Sequence, residues 1–294
     1  MTNRQNLPFF IGCAVWAYKD WIGDLFPAGS RSKDFLKLYS QRLTAVEGNA
    51  TFYSIPNSST VDRWAQETAA SFKFCLKLPR TFTHQGALYP HLSVALHFLD
   101  QMKPLGNRLG PLFAQLPPSY SPASLTDLRA FLTGWPRQTT PIAVEVRHPS
   151  WFTEPHSTQL NTLLESLGVG RVLLDTRPIY DCQTAGDTNP QIMSERRKPK
   201  LPLQPVVTAP FSLIRYISHP ESSLNRSYLA EWVPQVSQWL TWGTQIYFFV
   251  HCPIEAKSPA IARHFQHLLE QQGVEVPRLP WDQVIQPAKQ LKLF

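Results

Sequence analysis

Residues 142–176 read IAVEVRHPSWFTEPHSTQLNTLLESLGVGRVLLDT. The runs Ile142–His148 and Arg171–Thr176 at its two ends are short and largely apolar, which is typical of buried parallel strands. Between them, Thr158–Leu167 places leucines three and four residues apart, as on one face of an amphipathic helix. The stretch therefore predicts a strand–helix–strand unit with parallel strands.

The same alternation extends in both directions along the chain. Further strands are predicted at Phe9–Trp16, Leu43–Tyr53, Phe72–Pro79, Leu109–Pro117, Phe211–Ile217 and Gln245–Cys252. Further helices are predicted at Lys33–Arg42, Thr60–Ala70, His91–Met102, Ser124–Trp135, Arg226–Trp242 and Pro259–Gln272. Eight strands joined by right-handed crossovers close into a ring, so the predicted fold is a (β/α)8 TIM barrel of the α/β class.

One part of the chain departs from this alternation. Residues 178–210 are basic and rich in proline, and they predict an irregular loop in place of the sixth helix. Within them, Glu195–Lys200 is interpreted as a solvated, charged loop. A length of 294 residues allows two domains or one barrel, and the absence of a linker or repeat favours a single domain over residues 1–294.

Composition limits the class of protein. Hydrophobic residues make up 43% of the chain and charged ones 17%, which excludes an intrinsically disordered protein, and no apolar run reaches the ~18 residues of a membrane span. We therefore expect no membrane partner. Four cysteines without a CxxC pair predict a reducing, cytoplasmic location. The net charge of +7 favours anionic partners, either small metabolites or nucleic acid.

Polar side chains cluster where the predicted strands end, and in a TIM barrel those ends form the active-site face. Seven of the eight strands contribute one or more of them: Glu47, Asn49 and Thr51; Lys77 with Arg80 and His84; Gln115; Glu145 and Arg147; Asp175 with Arg177; Arg215; His251. The two-residue period predicts that Glu47, Asn49 and Thr51 share one side. Alternatively, a Glu145–Arg147 or Glu47–Lys77 pair is only a satisfied ion pair of the core.

Two chemistries fit these residues. In the first, Lys77, Arg147 and Arg215 clamp a phosphate or carboxylate, Glu47 or Glu145 serves as acid or base, and no cofactor is required. In the second, a divalent metal activates water against a phosphodiester. Its candidate ligands are Glu47, Glu145, Asp175, His84, His148 and His251. The first is favoured because neighbouring cations compete for the carboxylates and no compact ligand motif such as HExxH occurs.

Six parts of the chain carry a more specific pattern: Gly12–Pro27 (GCAVWAYKDWIGDLFP), Val46–Pro56 (VEGNATFYSIP), Phe72–His84 (FKFCLKLPRTFTH), Leu109–Tyr120 (LGPLFAQLPPSY), Val144–Trp151 (VEVRHPSW) and the stretch from Tyr247 onward. In this order they resemble the YecE-like family, domain of unknown function family 72, over nearly the whole chain. The resemblance implies a single TIM-barrel domain with a polar cleft at the strand ends, and it implies little about the reaction.

Carried over by position, the family's recurrent polar residues give the candidate site. The candidate catalytic residues are Glu47, Lys77, His84 and Glu145. The candidate substrate-binding residues are Asn49, Thr51, Tyr53, Arg80, Gln115, Arg147, His148, Asp175 and Arg215, to which strand position adds His251. The chain departs from the family pattern at Val15, at Leu25 and at His251-Cys252, which touch the first and last strand ends.

The leading functional hypothesis is an enzyme that acts on a small anionic substrate, phosphorylated or sugar-like, at the barrel mouth. The sequence does not distinguish a hydrolase from an isomerase or lyase, and it carries no signal for an oligomeric state. One alternative is a protein that binds nucleic acid or processes phosphodiesters. Another is a non-catalytic scaffold that binds partners.

Overall fold

The computed structural model describes residues 8–181 and 198–283. Eight parallel strands, β1 to β8, span Phe9–Cys13, Ala45–Gly48, Lys73–Leu76, Leu112–Gln115, Ile142–Glu145, Gly170–Asp175, Phe211–Ile217 and Gln245–His251. They lie in the order β3-β2-β1-β8-β7-β6-β5-β4. Two isolated parallel bridges, Phe74 with Leu109 and Lys77 with Phe113, join β3 to the β4 side. The sheet is thus a nearly closed barrel, and the predicted TIM-barrel fold is confirmed.

Helices α1 to α10 span Phe35–Ser40, Ala50–Tyr53, Ser58–Glu67, Arg80–Thr83, Leu92–Met102, Leu125–Gly134, His156–Leu167, Arg177–Tyr180, Arg226–Thr241 and Ser258–Gln271. Short 3-10 helices occupy several connections: Lys19–Trp21, Ser32–Asp34, Tyr89–His91, Lys103–Arg108, Pro122–Ser124, Pro149–Phe152, Ser222–Asn225, Glu255–Lys257 and Pro280–Gln283. Within the two described ranges, no helix is both long enough and apolar enough to cross a membrane.

The barrel has two apolar layers. Inside it, aromatic and small side chains such as Phe113, Ala143 and Tyr247 pack together. Outside it, the other faces of the strands pack against the helices, with Phe248 of β8 against Phe265 of α10 at a ring-centroid distance of 4.3 Å. Because both faces of every strand are covered, the strands consist of nearly continuous apolar runs. The polar residues that interrupt those runs therefore need a specific reason to be there.

The first two strands are joined by a side chain as well as by their backbones. The Tyr39 hydroxyl of α1 accepts a hydrogen bond from the Cys13 amide at 2.7 Å and donates one to the Ala45 carbonyl at 3.0 Å. Gly12 is required beside this contact, because a Cβ there would lie 1.9 Å from the Ala45 oxygen. The close approach fixes β1 against β2 and so positions the residues at the end of β2.

The chain leaves β2 and β3 earlier than the apolar pattern predicts. β2 ends at Gly48, and residues 50–53 form α2 rather than strand. The predicted strand alternation through Glu47, Asn49 and Thr51 is therefore wrong. The Thr51 hydroxyl lies 2.9 Å from the Gly48 carbonyl and 2.7 Å from the Lys77 carbonyl. This buried hydroxyl holds the ends of β2 and β3 together, and it stabilises the turn that replaces the strand.

The predicted irregular loop at 178–210 is described only in part, since residues 182–197 lie outside the described residues. Its start is helical, because α8 covers Arg177–Tyr180. Residues 198–210 form neither helix nor strand, as predicted for this part. They lead into β7 and bring Lys198 to the end of the barrel where the strands terminate.

Candidate active site

A buried ion-pair network forms the base of the barrel mouth. Arg215 of β7 donates to Glu47 of β2 through Nε and Nη2, each at 2.8 Å, and to Glu145 of β5 through Nη1 at 2.5 Å. All three side chains are 3% exposed or less. Each buried carboxylate accepts charged hydrogen bonds from Arg215, and these replace the hydrogen bonds to water that it loses on burial.

A second chain of hydrogen bonds leads from Glu145 to Lys77. Glu145 Oε1 accepts from Arg147 Nε at 2.6 Å and from Gln115 Nε2 at 2.8 Å, and Lys77 Nζ donates to Gln115 Oε1 at 2.8 Å. A carboxylate only accepts hydrogen bonds, so Glu145 fixes which end of the Gln115 amide faces it. The amide oxygen is thereby directed at the amine of Lys77.

His251 completes the network on the side of β8. Its Nε2 lies 2.8 Å from Glu47 Oε2. Burial lowers the pKa of His251 to about 4 despite the nearby Glu47 carboxylate, so the imidazole is neutral at pH 7. Since Glu47 accepts, the Nε2 atom must carry the proton. The predicted Glu47–Lys77 pair is replaced in the structure by Glu47–Arg215 and Glu47–His251, while the predicted Glu145–Arg147 pair is present.

The two glutamates are held in their charged form. Burial alone would raise the pKa of Glu47, but Arg215 and His251 hold it well below its usual range. Burial likewise opposes the charge on Glu145, yet Arg215, Arg147 and Lys77 lower its pKa to about 2. In this charged form both glutamates accept hydrogen bonds that orient Arg215 and Arg147. That Glu47 or Glu145 serves as acid or base stays a prediction.

Lys77 is one of the groups whose pKa lies near neutrality. Burial lowers the pKa of Lys77 to about 7, aided by Arg215 and Arg147 and opposed by Glu145 and Glu47. Its Nζ also lies 3.7 Å from the centroid of the Phe52 ring, a contact that favours the ammonium form. Lys77 is 6% exposed, and it lines the cleft described next.

A cleft of about 510 Å³ opens above this network. It is lined by Asn49, Phe52, Tyr53, Lys77, Arg80, His84, Gln115, Arg147, Lys198, Arg215 and His251. Five of these lining residues are lysine or arginine, and none of the described lining residues is aspartate or glutamate. Glu47 and Glu145 lie beneath the lining. The cleft therefore presents a positive surface to solvent.

Lys198 is a site residue that sequence reasoning placed elsewhere. Interpreted as part of a solvated charged run, it is instead half-buried and lines the cleft. Burial lowers the pKa of Lys198 to about 7, with a further contribution from Arg215. Its neighbour Lys200 does follow the interpretation, since its side chain is 66% exposed. No pattern in the sequence distinguishes the two lysines.

Three predicted site residues neither line the cleft nor belong to the ion-pair network beneath it. Asp175 accepts from both Arg177 and Trp232 Nε1 among the helices. Thr51 is fully buried at the β2–β3 contact described above. His148 accepts from the Ser150 amide at 3.2 Å and so caps a 3-10 helix. The side chains that the structure does bring together are Glu47, Asn49, Tyr53, Lys77, Arg80, His84, Gln115, Glu145, Arg147, Arg215 and His251.

His84 and Glu255 have shifted pKa values of opposite sign. Burial, together with Lys77 and Arg80, lowers the pKa of His84 to about 4, so this cleft residue is neutral. Burial raises the pKa of Glu255 to about 8, and its Oε1 has no hydrogen-bond partner among the described residues. The strand-end pattern in the sequence does not point to Glu255, because this residue lies in the 3-10 helix that follows β8.

The candidate metal ligands do not form a cluster. In the part of the chain that the structure describes, no group of three or more His, Cys, Asp or Glu side chains could hold a metal ion. Arg215 forms ion pairs with both Glu47 and Glu145. Asp175 and His148 point to other partners, which removes them from any shared site.

Sequence comparison now places the chain among known proteins. The profile of the family described as "Protein of unknown function DUF72" matches residues 10–284. The chain belongs to the DUF72 family. The UPF0759 protein YecE of Escherichia coli K12 is 34% identical over 272 residues, which cover 92% of this chain and 96% of YecE. The UPF0759 protein YunF of Bacillus subtilis 168 is 29% identical, over 54% of this chain and 57% of YunF.

Solved DUF72 structures share the fold. A DUF72 family protein from Enterococcus faecalis V583 superposes with a TM-score of 0.67 at 15% identity, covering 90% of this chain and 99% of that one. A DUF72 family protein from Thermotoga maritima MSB8 gives a TM-score of 0.65 at 20% identity, over 89% and 99% of the two chains. At these identities the likeness establishes the DUF72 barrel and says nothing about a reaction.

Proposed function

We propose that this protein is an enzyme that binds a small anionic substrate at the barrel mouth and uses Lys77 in its chemistry. The observation that carries the proposal is the charge of the cleft: five lysine and arginine side chains line it in the described residues, and the carboxylates lie beneath. A volume of about 510 Å³ suits a metabolite, since small-molecule pockets span roughly 300–1,000 Å³.

The arginine side chains of the cleft differ in how firmly they are held. Arg215 is held by Glu47 and Glu145, and Arg147 is held by Glu145, so both are fixed in orientation. Arg80 is exposed, and its guanidinium forms no hydrogen bond or ion pair with another described residue. Fixed and free guanidinium groups on one cleft can bind a phosphate or carboxylate with paired hydrogen bonds. The substrate's anionic group would then lie beside Lys77.

Lys77 and Lys198 both line the cleft with a pKa of about 7, and Lys77 is the better placed for proton transfer because it follows directly on β3. A group transfers protons most effectively when its pKa is near the working pH, and the pKa of Lys77 is about 7. The two glutamates remain charged and the two cleft histidines remain neutral at that pH, so none of the four changes its protonation state. This assignment favours an isomerase or lyase, in which a proton is moved next to the substrate's anionic group.

Binding of inorganic phosphate and of a sugar phosphate, measured by calorimetry at low salt, tests the proposal. We expect R80A to weaken binding at least tenfold, because it removes one charged hydrogen-bond donor worth about 1.5–3 kcal/mol. R129A, which removes the same charge from an exposed position on α6, should leave binding unchanged. Failure of the wild type to bind any small anion, or an equal effect of both variants, would contradict it.

The same experiment separates the nucleic-acid alternative. Binding that depends on backbone phosphates weakens steeply with salt, with a slope of about −0.9 per contact on duplex DNA. If a short RNA or DNA binds more tightly than the sugar phosphate and R129A weakens it as much as R80A, the basic surface rather than the cleft is the binding site. A small-molecule site predicts the opposite order.

A further inference from the structure

Lys77 has the surroundings of a nucleophile as well as of an acid or base. Its amine is almost completely buried, yet it lines the cleft. Gln115 Oε1 accepts one of its N–H groups at 2.8 Å, and the Phe52 ring covers another side at 3.7 Å. When the amine is neutral, one N–H bonds Gln115 and the other faces the Phe52 ring, which leaves the lone pair for a bound molecule.

We propose that Lys77 forms a Schiff base with the carbonyl group of an anionic substrate, a 2-oxo acid or a phosphorylated aldehyde or ketone. The inference rests on the proposed function, since Arg80 and Arg147 must hold the substrate's anionic group beside the amine. A desolvated lysine near other cations is a recognised form of activated nucleophile. Arg147, Arg215 and Lys198 supply those cations here.

The step balances without any further reagent. The Lys77 nitrogen attacks the carbonyl carbon, a C–N bond forms, and the carbonyl oxygen receives an amine proton to give a carbinolamine. The hydroxyl then takes a proton from solvent and leaves as water, and the nitrogen retains its other proton as an iminium. The iminium carries the same charge as the ammonium form of Lys77, so Glu145 and Glu47, which favour that charge, favour the product too.

Other lysines provide the contrast. Lys73 lies at the opposite end of β3, where its Nζ donates to the Asn107 carbonyl and lies over Phe10. It shares the strand but not the cleft. Lys198 shares the cleft and comes from an irregular segment, whereas Lys77 follows directly on a strand whose position is fixed by Thr51. Rigid placement favours Lys77, because a reacting atom must be held close to its target.

Reductive trapping tests the inference. The full chain is incubated at pH 7 with glyoxylate, or with pyridoxal 5′-phosphate as an aldehyde that carries a phosphate, in the presence of cyanoborohydride, and peptides are mapped by mass spectrometry. We expect Lys77 to be labelled at least about tenfold faster than Lys73, because Lys77 lines the cleft beside Arg80 and Arg147 whereas Lys73 lies at the opposite end of β3. Inorganic phosphate should slow the labelling of Lys77 and leave that of Lys73 unchanged.

K77R and K73R form a matched pair of variants for this experiment. K77R should abolish the adduct, and K73R should retain it. Thermal unfolding checks that both variants fold. Peptide mapping of the wild-type protein tests the inference even if a variant does not fold. Phosphate binding that depends on Arg80, without an adduct on Lys77, overturns the Schiff base and leaves the proposed function standing. An adduct on Lys198 in place of Lys77 also overturns it. Labelling of Lys77 that phosphate does not slow overturns the anionic substrate class.

Discussion

Arg215 and Glu47 are 168 residues apart in the chain and are joined across the barrel by two hydrogen bonds of 2.8 Å each. The pair connects β7 to β2, which are not neighbours in the sheet. Glu145 of β5 binds the remaining side of the same guanidinium. One arginine thus links three strands inside the barrel, and the cleft above it depends on that link.

Replacing the central arginine should be costly for stability. R215M leaves Glu47 and Glu145 buried without their main partner, so we expect the free energy of unfolding to fall by about 3–5 kcal/mol in urea denaturation. The triple variant R215M/E47Q/E145Q should recover a large part of that loss, because it removes the uncompensated charges. A loss below about 1 kcal/mol for R215M would show that the network is open to water.

The Thr51 hydroxyl should stabilise the fold without taking part in chemistry. T51V keeps the shape of the side chain and leaves the Lys77 carbonyl without its 2.7 Å donor, so we expect a loss of about 1–3 kcal/mol. T51S should restore most of it. T126V, at an exposed position of α6, serves as the control and should change stability by less than about 0.5 kcal/mol. An unchanged T51V would exclude Thr51 as the link between β2 and β3.

The pKa of Lys77 predicts a pH-dependent stability difference. The folded pKa of about 7 lies below the unfolded value, so the unfolded chain binds more protons between pH 7 and about 10, and Lys77 opposes folding most strongly below pH 7. The charged and titratable groups near it are Arg215, Arg147, Arg80, Lys198, Glu145, Glu47 and His84. All are also present in the variant K77M, so comparison of the two proteins isolates Lys77.

We therefore expect K77M to be more stable than wild type below pH 7 and this advantage to shrink as the pH rises toward 10. The steepest change should approach about 1.4 kcal/mol per pH unit. Unfolding in guanidinium chloride at several pH values measures it, and K33M, at an exposed position, is the control. An advantage of K77M that does not vary with pH would mean that Lys77 has an ordinary pKa.

Lys198 and Lys200 offer a matched pair for the cleft. K198A removes a charge from the cleft lining, and K200A removes the same charge two residues away, where Lys200 is exposed and 3.9 Å from Asp181. We expect K198A to raise the dissociation constant for phosphate several-fold and K200A to leave it within about twofold, since exposed ion pairs contribute little. Equal effects would restore the interpretation of the whole run as a solvated loop.

The sequence predicted most of the barrel because its strands are buried on both faces. Such strands, as at Phe211–Ile217, are continuous apolar runs, and that run was predicted with the bounds that the structure has. The sequence prediction is wrong at the end of β2, where the apolar stretch through Phe52 and Tyr53 forms a helix and not a strand. The turn depends on the hydrogen bond from the Thr51 hydroxyl to the Lys77 carbonyl, just after β3. These residues are 26 apart in the chain, so no local sequence pattern contains the contact.

The sequence predicted several of the residues that lie together at the barrel mouth, but not which partners each of them has there. Lys77, Glu145 and Arg215 were found because polar residues at strand ends stand out in an apolar chain. Their charge states depend on distance: Arg215 holds both glutamates in their charged form, and burial beside Arg215 brings the pKa of Lys77 to about 7. Asp175 has the same strand-end position, but Arg177 and Trp232 satisfy it outside the cleft.

The sequence by itself determined the eight-stranded barrel, its polar end and the excess of positive charge. These follow from hydrophobic periodicity and composition, which are properties of the chain read in order. The tertiary structure alone decided which charges pair, which remain free in the cleft, and that Lys198 belongs to it. Those outcomes depend on burial and on distances of a few ångströms between residues far apart in the chain, because the energy of a charge is set by its neighbours in space.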